Sequence, residues 1–477
     1  MSTPETWFKQ GESLLAANQY GSTGFSQGLE LLKKSAAAGF IDAQVTLGHV
    51  HAQVHLLPNA FQEAARWYQL AAERGHPMAQ DRLADLFMLG RGVSQSDAQA
   101  FAWYARTAAQ AYAMAQCNLA YMHSQGLGTP VDQEAATSMF LRAAAQGEAR
   151  AYFNLGLRYY AGLGAPAGPV HACAWMSNAA RLNYPTARTE LESMRASLND
   201  AQRVQARELA ALIEANFEAL QYRLGRTPGA TSSIETYRQT VEENFASLAV
   251  PELALDAAKR LHGAGRNNSK DAAQPQPGQP DTVNQQPRIF TLMEFVSKAE
   301  AAHLMALALL NMKSSAETVR DQLSQEHTAF TGHSANFHLV FCDAVVRNLE
   351  RRIASAFNLP VEHVEPISVL RYQHSHQYAA HVDYFDEARL EYNRRIGDKS
   401  GQRIASFLVY LQAPEAGGQT HYLKLKLKVE GKPRMALCHF NLTSEGATDP
   451  MTLHTGEPVI AGEKWLARTT LREKPFF

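Results

Sequence analysis

A regular spacing of small and apolar residues organises the N-terminal part of the chain. An alanine recurs every 36 residues over five copies, and a leucine follows each alanine by four positions. The pairs are Ala43 and Leu47, Ala79 and Leu83, Ala115 and Leu119, Ala151 and Leu155, and Ala187 and Leu191. The other half of each unit keeps a large apolar residue at the same period: Leu31, Trp67, Trp103, Met139 and Trp175. Because no unit can bury these positions alone, the pattern predicts pairs of helices that stack on their neighbours.

Glycine pairs between the two helices of a unit support this prediction. They stand at Gly90 and Gly92, Gly126 and Gly128, and Gly162 and Gly164, where left-handed backbone angles would end a helix at little cost. The segment Ala144 to Gly164 resembles the Sel1-like repeats, which are relatives of the tetratricopeptide repeat, and the resemblance covers roughly Gly28 to Leu191. It implies an α-solenoid that binds a protein or peptide.

The region after the repeats divides into three further segments. Residues 192–224 carry an apolar stripe that predicts one long amphipathic helix capping the array, and Ser233 to Leu261 predicts further helices. Residues 263–287 contain almost no large apolar residue and are rich in Pro, Gln, Asn and Gly, which predicts a linker. The predicted domains are therefore 1–191, 192–262, 263–287 and 288–477.

From Arg288 onward the pattern changes to two helices followed by short runs of β-forming residues. The helices are predicted at Lys298 to Met312 and Phe341 to Phe357. The strands are predicted at 367–372, 404–411, 420–429, 436–441, 452–455 and 465–471. In the third strand Lys424, Lys426 and Lys428 alternate with leucines, which predicts a solvated lysine face; an electropositive rim for an acidic peptide is the alternative. An antiparallel barrel or sandwich with flanking helices fits these elements.

The candidate chemistry lies in this second half. His381 and Asp383 are two residues apart, so both side chains point to the same side of an extended segment, and His454 at the end of a later strand offers a third ligand. Two histidines and one carboxylate form the facial triad of Fe(II) oxygenases. Taken alone, the triplet is better explained by surface histidines beside a solvated aspartate. Lys464 and Tyr372, on neighbouring predicted strands, could pair with a carboxylate of a metal-chelating ligand.

Residues Arg288 to Phe477 resemble the 2-oxoglutarate- and Fe(II)-dependent dioxygenases of the prolyl 4-hydroxylase type. The motifs that carry the resemblance are Arg371-Tyr372, His381-Val382-Asp383-Tyr384-Phe385, Gly401-Gln402-Arg403-Ile404-Ala405, Tyr410-Leu411, Gly417-Gly418-Gln419-Thr420, His454-Thr455-Gly456-Glu457-Pro458-Val459 and Gly462-Glu463-Lys464-Trp465.

The resemblance implies a fold, a cofactor set and site residues. The fold is a double-stranded β-helix, or jelly roll, with flanking helices. Catalysis would depend on Fe(II) held by His381, Asp383 and His454, on 2-oxoglutarate and on O2, with ascorbate as a further reductant. The residues implied to bind 2-oxoglutarate are Lys464, Tyr372 and Thr420. Those implied to lie near the substrate are Arg403 and Thr470.

Departures from the family pattern leave the substrate open. Gln419 stands where the family has glutamate, and Thr470 stands where the family commonly carries a tryptophan close to the bound proline. An aromatic wall is a natural surface for a pyrrolidine ring, so its absence puts proline recognition in question. His374 and His376 are interpreted as loop or surface histidines, and His439 as structural.

Composition limits the function classes. Forty-five Lys and Arg against 46 Asp and Glu give a net charge of -1. The sequence has no polybasic block of the kind that binds nucleic acid or anionic lipid. No segment has the pattern of a secretory signal or a membrane span, so we expect a cytoplasmic protein. The cysteines are far apart and predicted to be reduced and buried: Cys117, Cys173, Cys342 and Cys438.

Three hypotheses about function follow. The leading one is a hydroxylase that modifies a protein or peptide recruited by the repeats. The others are a scaffold or 2-oxoglutarate sensor without turnover, and a hydroxylase of free amino acids or other small molecules.

Overall fold

The structure is a computed structural model that describes residues 3–18, 21–53, 57, 59–165, 167–223, 280–310, 312–314, 330–337, 343–395, 398 and 400–475. The chain divides into two compact units, Met1–Ser96 together with Gln276–Phe477, and Asp97–Pro275. The domain boundaries predicted from the sequence stay a prediction. Along the described part of the chain, no helix is both long and apolar enough to cross a membrane.

Antiparallel helix pairs make up the N-terminal part of the chain, as the repeat predicts. The first unit contains α1 (Pro4–Ala17), α2 (Thr23–Ala37), α3 (Ile41–Gln53), α4 (Ala60–Glu73) and α5 (Pro77–Leu89). The second contains α6 (Asp97–Ala109), α7 (Ala113–Gln125), α8 (Gln133–Ala144), α9 (Ala149–Ala161), α10 (Pro169–Arg181), α11 (Ala187–Ala196) and α12 (Asp200–Arg223). All five repeat alanines are 0% exposed, and the five leucines that follow them are buried. The predicted packing role of these positions is confirmed.

The turn glycines adopt the predicted left-handed conformation. Gly90, Gly126 and Gly162 end α5, α7 and α9 with φ near 70°, and each donates its backbone N–H to a carbonyl of the preceding turn. The second glycine of each pair allows a close approach between backbones. A Cβ on Gly92 would lie 2.1 Å from the carbonyl oxygen of Phe61.

We expect Gly92→Ala to lower the free energy of unfolding more than Gly75→Ala does. Both glycines have positive φ, 72° and 87°, and alanine in that region costs roughly 1–2 kcal/mol. Apart from its two chain neighbours, no atom of the described residues lies within 4 Å of a Cβ added to Gly75, whereas a Cβ on Gly92 meets backbone, which adds about 1–3 kcal/mol of overpacking. Chemical denaturation of the two variants measures the difference. Equal losses would show that the close approach at Gly92 contributes nothing.

A long helix is present where the sequence predicts one over 192–224, but it starts later: α11 ends at Ala196 and α12 runs from Asp200 to Arg223, so one continuous helix from residue 192 is wrong. Asn199 starts the second one with reciprocal hydrogen bonds. The Gln202 N–H donates to Asn199 Oδ1 at 2.9 Å, and the Asn199 N–H donates to Gln202 Oε1 at 3.1 Å. Such a pair stabilises a new helix N-terminus and outweighs continuation of the apolar stripe. The helices predicted at Ser233 to Leu261 lie outside the described residues.

The C-terminal part of the chain is built on two main antiparallel sheets, which confirms the jelly-roll prediction. Its strands are β1 (Asp281–Gln285), β2 (Arg288–Leu292), β3 (Lys313–Ser314), β4 (His333–Asn336), β5 (Ser368–Tyr372), β6 (Tyr378–His381), β7 (Arg403–Gln412), β8 (Ala416–Gly417), β9 (Thr420–Tyr422), β10 (Leu427–Val429), β11 (Ala436–Phe440), β12 (His454–Gly456), β13 (Val459–Ala461) and β14 (Lys464–Arg472). The larger sheet has the order β1-β2-β11-β7-β14-β5-β4-β3 and the smaller one β10-β9-β12-β6, while β13 and β8 form a separate pair.

Helices cover one face of the larger sheet. They are α13 (Lys298–Leu310) and α14 (Ala344–Ala356), and both lie close to their predicted positions. A further helix, α15 (Glu387–Arg395), follows the metal-ligand motif in the chain. One apolar core, which includes Phe407 and Ala467, joins α13 and α14 to this sheet. A second core contains residues of both sheets, among them Tyr410 and Tyr422, and the site lies beside it.

The first repeats share a unit with the sheets. Helix α5 packs against α14, and Leu89 at its C-terminus belongs to the core under the larger sheet. Beside it, Arg91 Nη2 lies 3.6 Å from Glu350 Oε2, and both side chains are buried. This part of the repeat array therefore contributes to the interior of the unit that carries the sheets.

Two strand predictions need correction. The strand predicted over 420–429 is a hairpin of β9 and β10, because the chain reverses at Leu423 to Lys426, where the Lys426 N–H donates to Leu423 O at 3.3 Å. The lysines are exposed and the leucines half-buried, so the exposure pattern holds although the single strand does not. In addition, Asp281–Gln285, predicted as linker, forms strand β1 paired with β2, because an exposed edge strand needs no run of large apolar residues.

Candidate active site

Two paired strands bring the predicted ligands together. His381 on β6 and His454 on β12 are direct register partners, and their ring centroids are 4.4 Å apart. Asp383 lies two residues beyond the end of β6, with carboxylate oxygens 3.6 Å from His381 Nε2 and 3.9 Å from His454 Nε2. One ligand atom from each residue lies within 4.8 Å of the other two. The strand register therefore explains how residues distant in sequence converge.

Hydrogen bonds prepare both imidazoles for metal binding. His381 Nδ1 contacts the carbonyl oxygen of Ala379 at 2.8 Å, and His454 Nδ1 contacts that of Thr452 at 2.9 Å. Because a carbonyl only accepts, each Nδ1 carries the proton and each Nε2 keeps a lone pair. This donor set fits a divalent transition metal with open coordination positions.

The charges at the site suit the same purpose. Burial, together with the neighbouring imidazole of His381, lowers the pKa of His454 to about 3, so the ring is neutral. Burial alone would raise the pKa of Asp383, but contacts with the His381 and His439 imidazoles hold it well below its usual range. A neutral His454 imidazole and an ionised Asp383 carboxylate are thus available at neutral pH.

A pocket with an empty volume of about 350 Å³ opens beside these ligands. Its lining residues are Leu370, Tyr372, Tyr378, His381, Asp383, Leu408, Thr420, His454, Gly456, Lys464, Leu466 and Arg468. Lys464 and Tyr372 are register partners on β14 and β5, and Lys464 Nζ lies 4.9 Å from the centre of the tyrosine ring. Thr420 Oγ1 is 2.7 Å from the hydroxyl of Tyr410. The structure thus brings the metal-ligand candidates and the predicted 2-oxoglutarate residues to one pocket.

Lys464 is a cation in an unusual environment. Its side chain is 1% exposed, and its ammonium donates to the carbonyl oxygen of Gly418 at 2.8 Å. No carboxylate in the described part of the chain pairs with it. Burial lowers the pKa of Lys464 to about 7. A buried cation without a carboxylate partner is costly, so this arrangement favours an anionic ligand.

Comparisons with known proteins agree with this geometry. Residues 367–471 match the 2OG-Fe(II) oxygenase superfamily, and residues 52–76, 77–112, 113–148 and 149–184 match the Sel1 repeat. Probable prolyl 4-hydroxylase 4 of Arabidopsis thaliana is 32% identical over 213 aligned positions, which cover 40% of this chain and 69% of that protein. Probable prolyl 4-hydroxylase 10 of the same organism is 31% identical over 250 positions, which cover 48% of this chain and 82% of that protein. The chain belongs to the 2OG-Fe(II) oxygenase superfamily.

This oxygenase is prolyl 4-hydroxylase-like, and it is a 2-oxoglutarate-dependent dioxygenase that uses Fe(II), 2-oxoglutarate and O2. Among solved structures, the viral collagen prolyl hydroxylase vCPH from Paramecium Bursaria Chlorella virus-1, in its 2OG complex, aligns with 39% of this chain and 94% of its own. That alignment has 22% sequence identity and a TM-score of 0.29. The N-terminal repeats of this oxygenase are Sel1 repeats.

The two residues predicted to contact substrate lie outside the pocket lining of the oxygenase. The guanidinium of Arg403 donates to both carboxylate oxygens of Glu365, at 3.0 and 2.9 Å, and stacks 4.4 Å from the centre of the Phe385 ring. Thr470 is half-buried and shares a face of β14 with Lys464, by strand alternation. A substrate-binding role for Arg403 and Thr470 stays a prediction.

Several residues of the site were not assigned to it from the sequence, and three of them, His439, Tyr422 and Arg468, carry polar groups close to the ligands or the pocket. His439, interpreted as structural, is buried with Nε2 3.2 Å from Asp383 Oδ2, and the Tyr422 hydroxyl lies 2.9 Å from Nδ1 of the same imidazole. Arg468 lines the pocket four residues after Lys464. Strand alternation from Lys464 could have found Arg468. No pattern in the sequence distinguishes the inner from the outer face of β11 at His439.

The other histidines and cysteines match their predictions where they are described. His374 is exposed in a loop, and His376 is half-buried beside it and accepts the backbone N–H of Gln373. Cys117, Cys173 and Cys438 are buried. Cys342 lies outside the described residues.

Acid should destabilise the oxygenase through Glu365. The Arg403 and Arg472 guanidiniums overcome the effect of burial and lower the pKa of Glu365 to about 2, from an ordinary value of 4.5. Because the folded-state pKa is the lower one, the stabilisation is present above pH 4.5 and is lost as the pH falls toward 2. The shift corresponds to about 3 kcal/mol in the free energy of unfolding.

Chemical denaturation at pH 6, 4 and 3 checks this prediction. The difference in unfolding free energy between wild type and Glu365→Gln should shrink as the pH falls. The exposed Glu430→Gln serves as the control and should show no such trend. A difference that stays constant from pH 6 to pH 3 would contradict the assignment.

Proposed function

We propose that this oxygenase hydroxylates a prolyl residue of a protein or peptide, with iron held by His381, Asp383 and His454. The observation that carries the proposal is the pocket in which this cluster and the buried Lys464 occur together. Iron bound there would supply O2 activation, in which 2-oxoglutarate is oxidised to succinate and CO2 while a C–H bond of the target becomes C–OH. The protein holds the reactants in place and excludes water.

In this proposal, Lys464 binds the carboxylate of 2-oxoglutarate that is remote from the keto group. The ammonium needs an anionic partner, and a charge-assisted hydrogen bond in a buried pocket supplies one. Tyr372 on β5 and Thr420 on β9 both line this pocket and can donate their hydroxyl protons to the same carboxylate. A dicarboxylate is therefore the class of ligand that meets both the metal-ligand cluster and the buried cation.

A peptide target is supported by the relatives, which carry the name prolyl 4-hydroxylase and share 31–32% identity with this chain. In the lining of the pocket, Tyr378 contacts the ring of His381, with centroids 3.9 Å apart, and Arg468 Nη1 lies 3.4 Å from the Tyr378 hydroxyl. An aromatic ring beside a metal ligand offers a surface for a pyrrolidine ring in the absence of a tryptophan at position 470.

Sel1 repeats generally serve as protein-interaction modules, and we assign them the recruitment of the target. Binding a target through the array would turn its encounter with the pocket into an intramolecular event and raise its effective concentration.

Mass spectrometry tests the reaction. The full chain is loaded with Fe(II) and 2-oxoglutarate without oxygen and then exposed to air with proline-containing peptides or free proline. The proposal predicts a mass gain of one oxygen on a peptide, with matching succinate formation, and no product from free proline. Hydroxylation of free proline alone would identify a small-molecule enzyme. Succinate formation that no peptide increases would contradict peptide hydroxylation.

Recruitment has its own test once a target is known. We expect kcat/KM for the intact target protein to exceed that for a short peptide with the same prolyl residue by roughly 10²-fold or more, since tethering gains of this order are typical. Equal values would show that the repeats do not recruit the target.

A further inference from the structure

A buried chain of polar contacts leads away from the metal-ligand cluster. The hydroxyl of Tyr422 lies 2.9 Å from His439 Nδ1, and His439 Nε2 lies 3.2 Å from Asp383 Oδ2. His439 and Tyr422 are both 0% exposed, and Asp383 is buried. Apart from Asp383, His439 Nε2 has no polar partner in the described part of the chain. A fully buried nitrogen that faces one carboxylate calls for a functional explanation.

The contacts join the two sheets at the site. His439 lies on β11 of the larger sheet, on the same face as Leu437, which belongs to the core shared by the sheets. Tyr422 lies on β9 of the smaller sheet and is the register partner of His454. The Tyr422 ring also packs against the His454 ring, with centroids 5.6 Å apart. The imidazole of His439 is therefore held by a residue that is itself fixed beside a metal-ligand candidate.

Proton positions along this chain follow from the neighbouring groups. If His439 Nδ1 carried the proton, the unprotonated Nε2 would direct its lone pair at the lone pairs of Asp383, which is repulsive. If the Tyr422 hydroxyl donates to Nδ1, the ring proton lies on Nε2. The second arrangement avoids this repulsion and places the Nε2 proton on the side of the Asp383 carboxylate.

We propose that His439 is a positioning residue that holds the Asp383 carboxylate in its metal-binding orientation, with its tautomer set by Tyr422. The backbone fixes the other two ligands, because both histidines are strand residues whose Nδ1 atoms contact nearby carbonyls. Asp383 lies past the end of β6, and its carboxylate has imidazoles as its neighbours. With Oδ2 3.2 Å from His439 Nε2, rotation of the carboxylate away from the cluster loses this buried polar contact.

This inference rests on the metal assignment made above, and Co(II) binding tests it without turnover. Titration of the metal-free full chain with Co(II), followed by ligand-field absorption, gives the affinity and reports on the coordination geometry. We expect His439→Leu to weaken Co(II) binding by roughly 10–100-fold and to change the absorption spectrum, since partners of metal ligands have effects of this size. Tyr422→Phe should weaken binding by roughly 2–10-fold, as the loss of one neutral hydrogen bond predicts.

Two further variants separate positioning from stability. His439→Gln keeps an N–H donor near the Nε2 position and should recover most of the affinity. His303→Leu is the matched control, because it removes a buried histidine whose Nε2 lies 2.6 Å from Asp343 Oδ2, outside the pocket. It should lower the melting temperature and leave the Co(II) affinity and spectrum unchanged.

The outcomes distinguish the two proposals. A wild-type chain that binds no Co(II) contradicts the metal assignment itself. A wild type that binds while His439→Leu and Tyr422→Phe bind equally well overturns the positioning role. If His439→Leu does not fold, Tyr422→Phe carries the test, because it removes a single oxygen atom. A loss of affinity in His303→Leu as large as that in His439→Leu would show that general destabilisation explains the effect.

Discussion

Replacing His381 with alanine should abolish succinate formation and target hydroxylation. His381 supplies one of three ligand atoms that converge within 4.8 Å, and two remaining ligands cannot hold the metal in a defined geometry. The metal contributes several kcal/mol of transition-state stabilisation, so we expect a loss of roughly 10³-fold or more in kcat/KM for 2-oxoglutarate. Steady-state assays of succinate at saturating Fe(II), together with Co(II) titration, measure both consequences.

His374→Ala is the matched control for this variant. His374 precedes His381 by seven residues and is exposed in a loop, where its Nδ1 contacts the backbone oxygen of Ile460 at 2.9 Å. This variant should keep wild-type turnover and Co(II) affinity. Normal hydroxylation by His381→Ala, or an equal loss in both variants, would refute the metal assignment.

Lys464→Met should raise the KM for 2-oxoglutarate by roughly 10²–10³-fold, since losing one partner of a buried charged pair costs about 2–5 kcal/mol. Methionine keeps the length of the side chain and leaves the pocket apolar where the ammonium stood. Lys464 is not part of the metal-ligand cluster, so Co(II) affinity should not change. The exposed Lys432→Met is the control and should behave as wild type. A lost Co(II) affinity in Lys464→Met would mean that the variant disturbs the fold instead of the cosubstrate site.

The same lysine predicts a pH dependence of 2-oxoglutarate binding. Burial lowers the pKa of Lys464 to about 7, so the empty pocket carries the charged ammonium below pH 7 and the neutral amine above it. Binding of the dianion then takes up a proton at higher pH, and the affinity should fall by up to about tenfold per pH unit above 7. Calorimetric titrations in two buffers of different ionisation enthalpy measure the proton uptake. Lys464→Met should show none.

The repeat architecture was accessible from the sequence because each position of the 36-residue unit has one packing role. Ala151 and Leu155 are buried, as the period requires. The break between α11 and α12 was missed, since the apolar stripe continues past Asn199 and only its reciprocal contact with Gln202 starts a new helix. Local hydrogen bonding decided this point against hydrophobic periodicity.

The metal-ligand candidates were also found from the sequence. His381 and Asp383 are only two residues apart, and the motifs that follow them along the chain can be read directly. The position of His439 depends on which face of β11 turns toward the smaller sheet, and that is set by pairing with β2 and β7. The hairpin at Leu423 to Lys426 was hidden because Leu and Lys alternate through the turn as they would in a strand.

A crystal structure of the full chain with Mn(II) and 2-oxoglutarate, grown without oxygen, tests the central claim most directly. The account predicts one Mn(II) ion, located by its anomalous scattering and bonded to His381 Nε2, His454 Nε2 and a carboxylate oxygen of Asp383. The remote carboxylate of 2-oxoglutarate should lie against the Lys464 ammonium. A metal bound elsewhere, or 2-oxoglutarate bound away from Lys464, would contradict it.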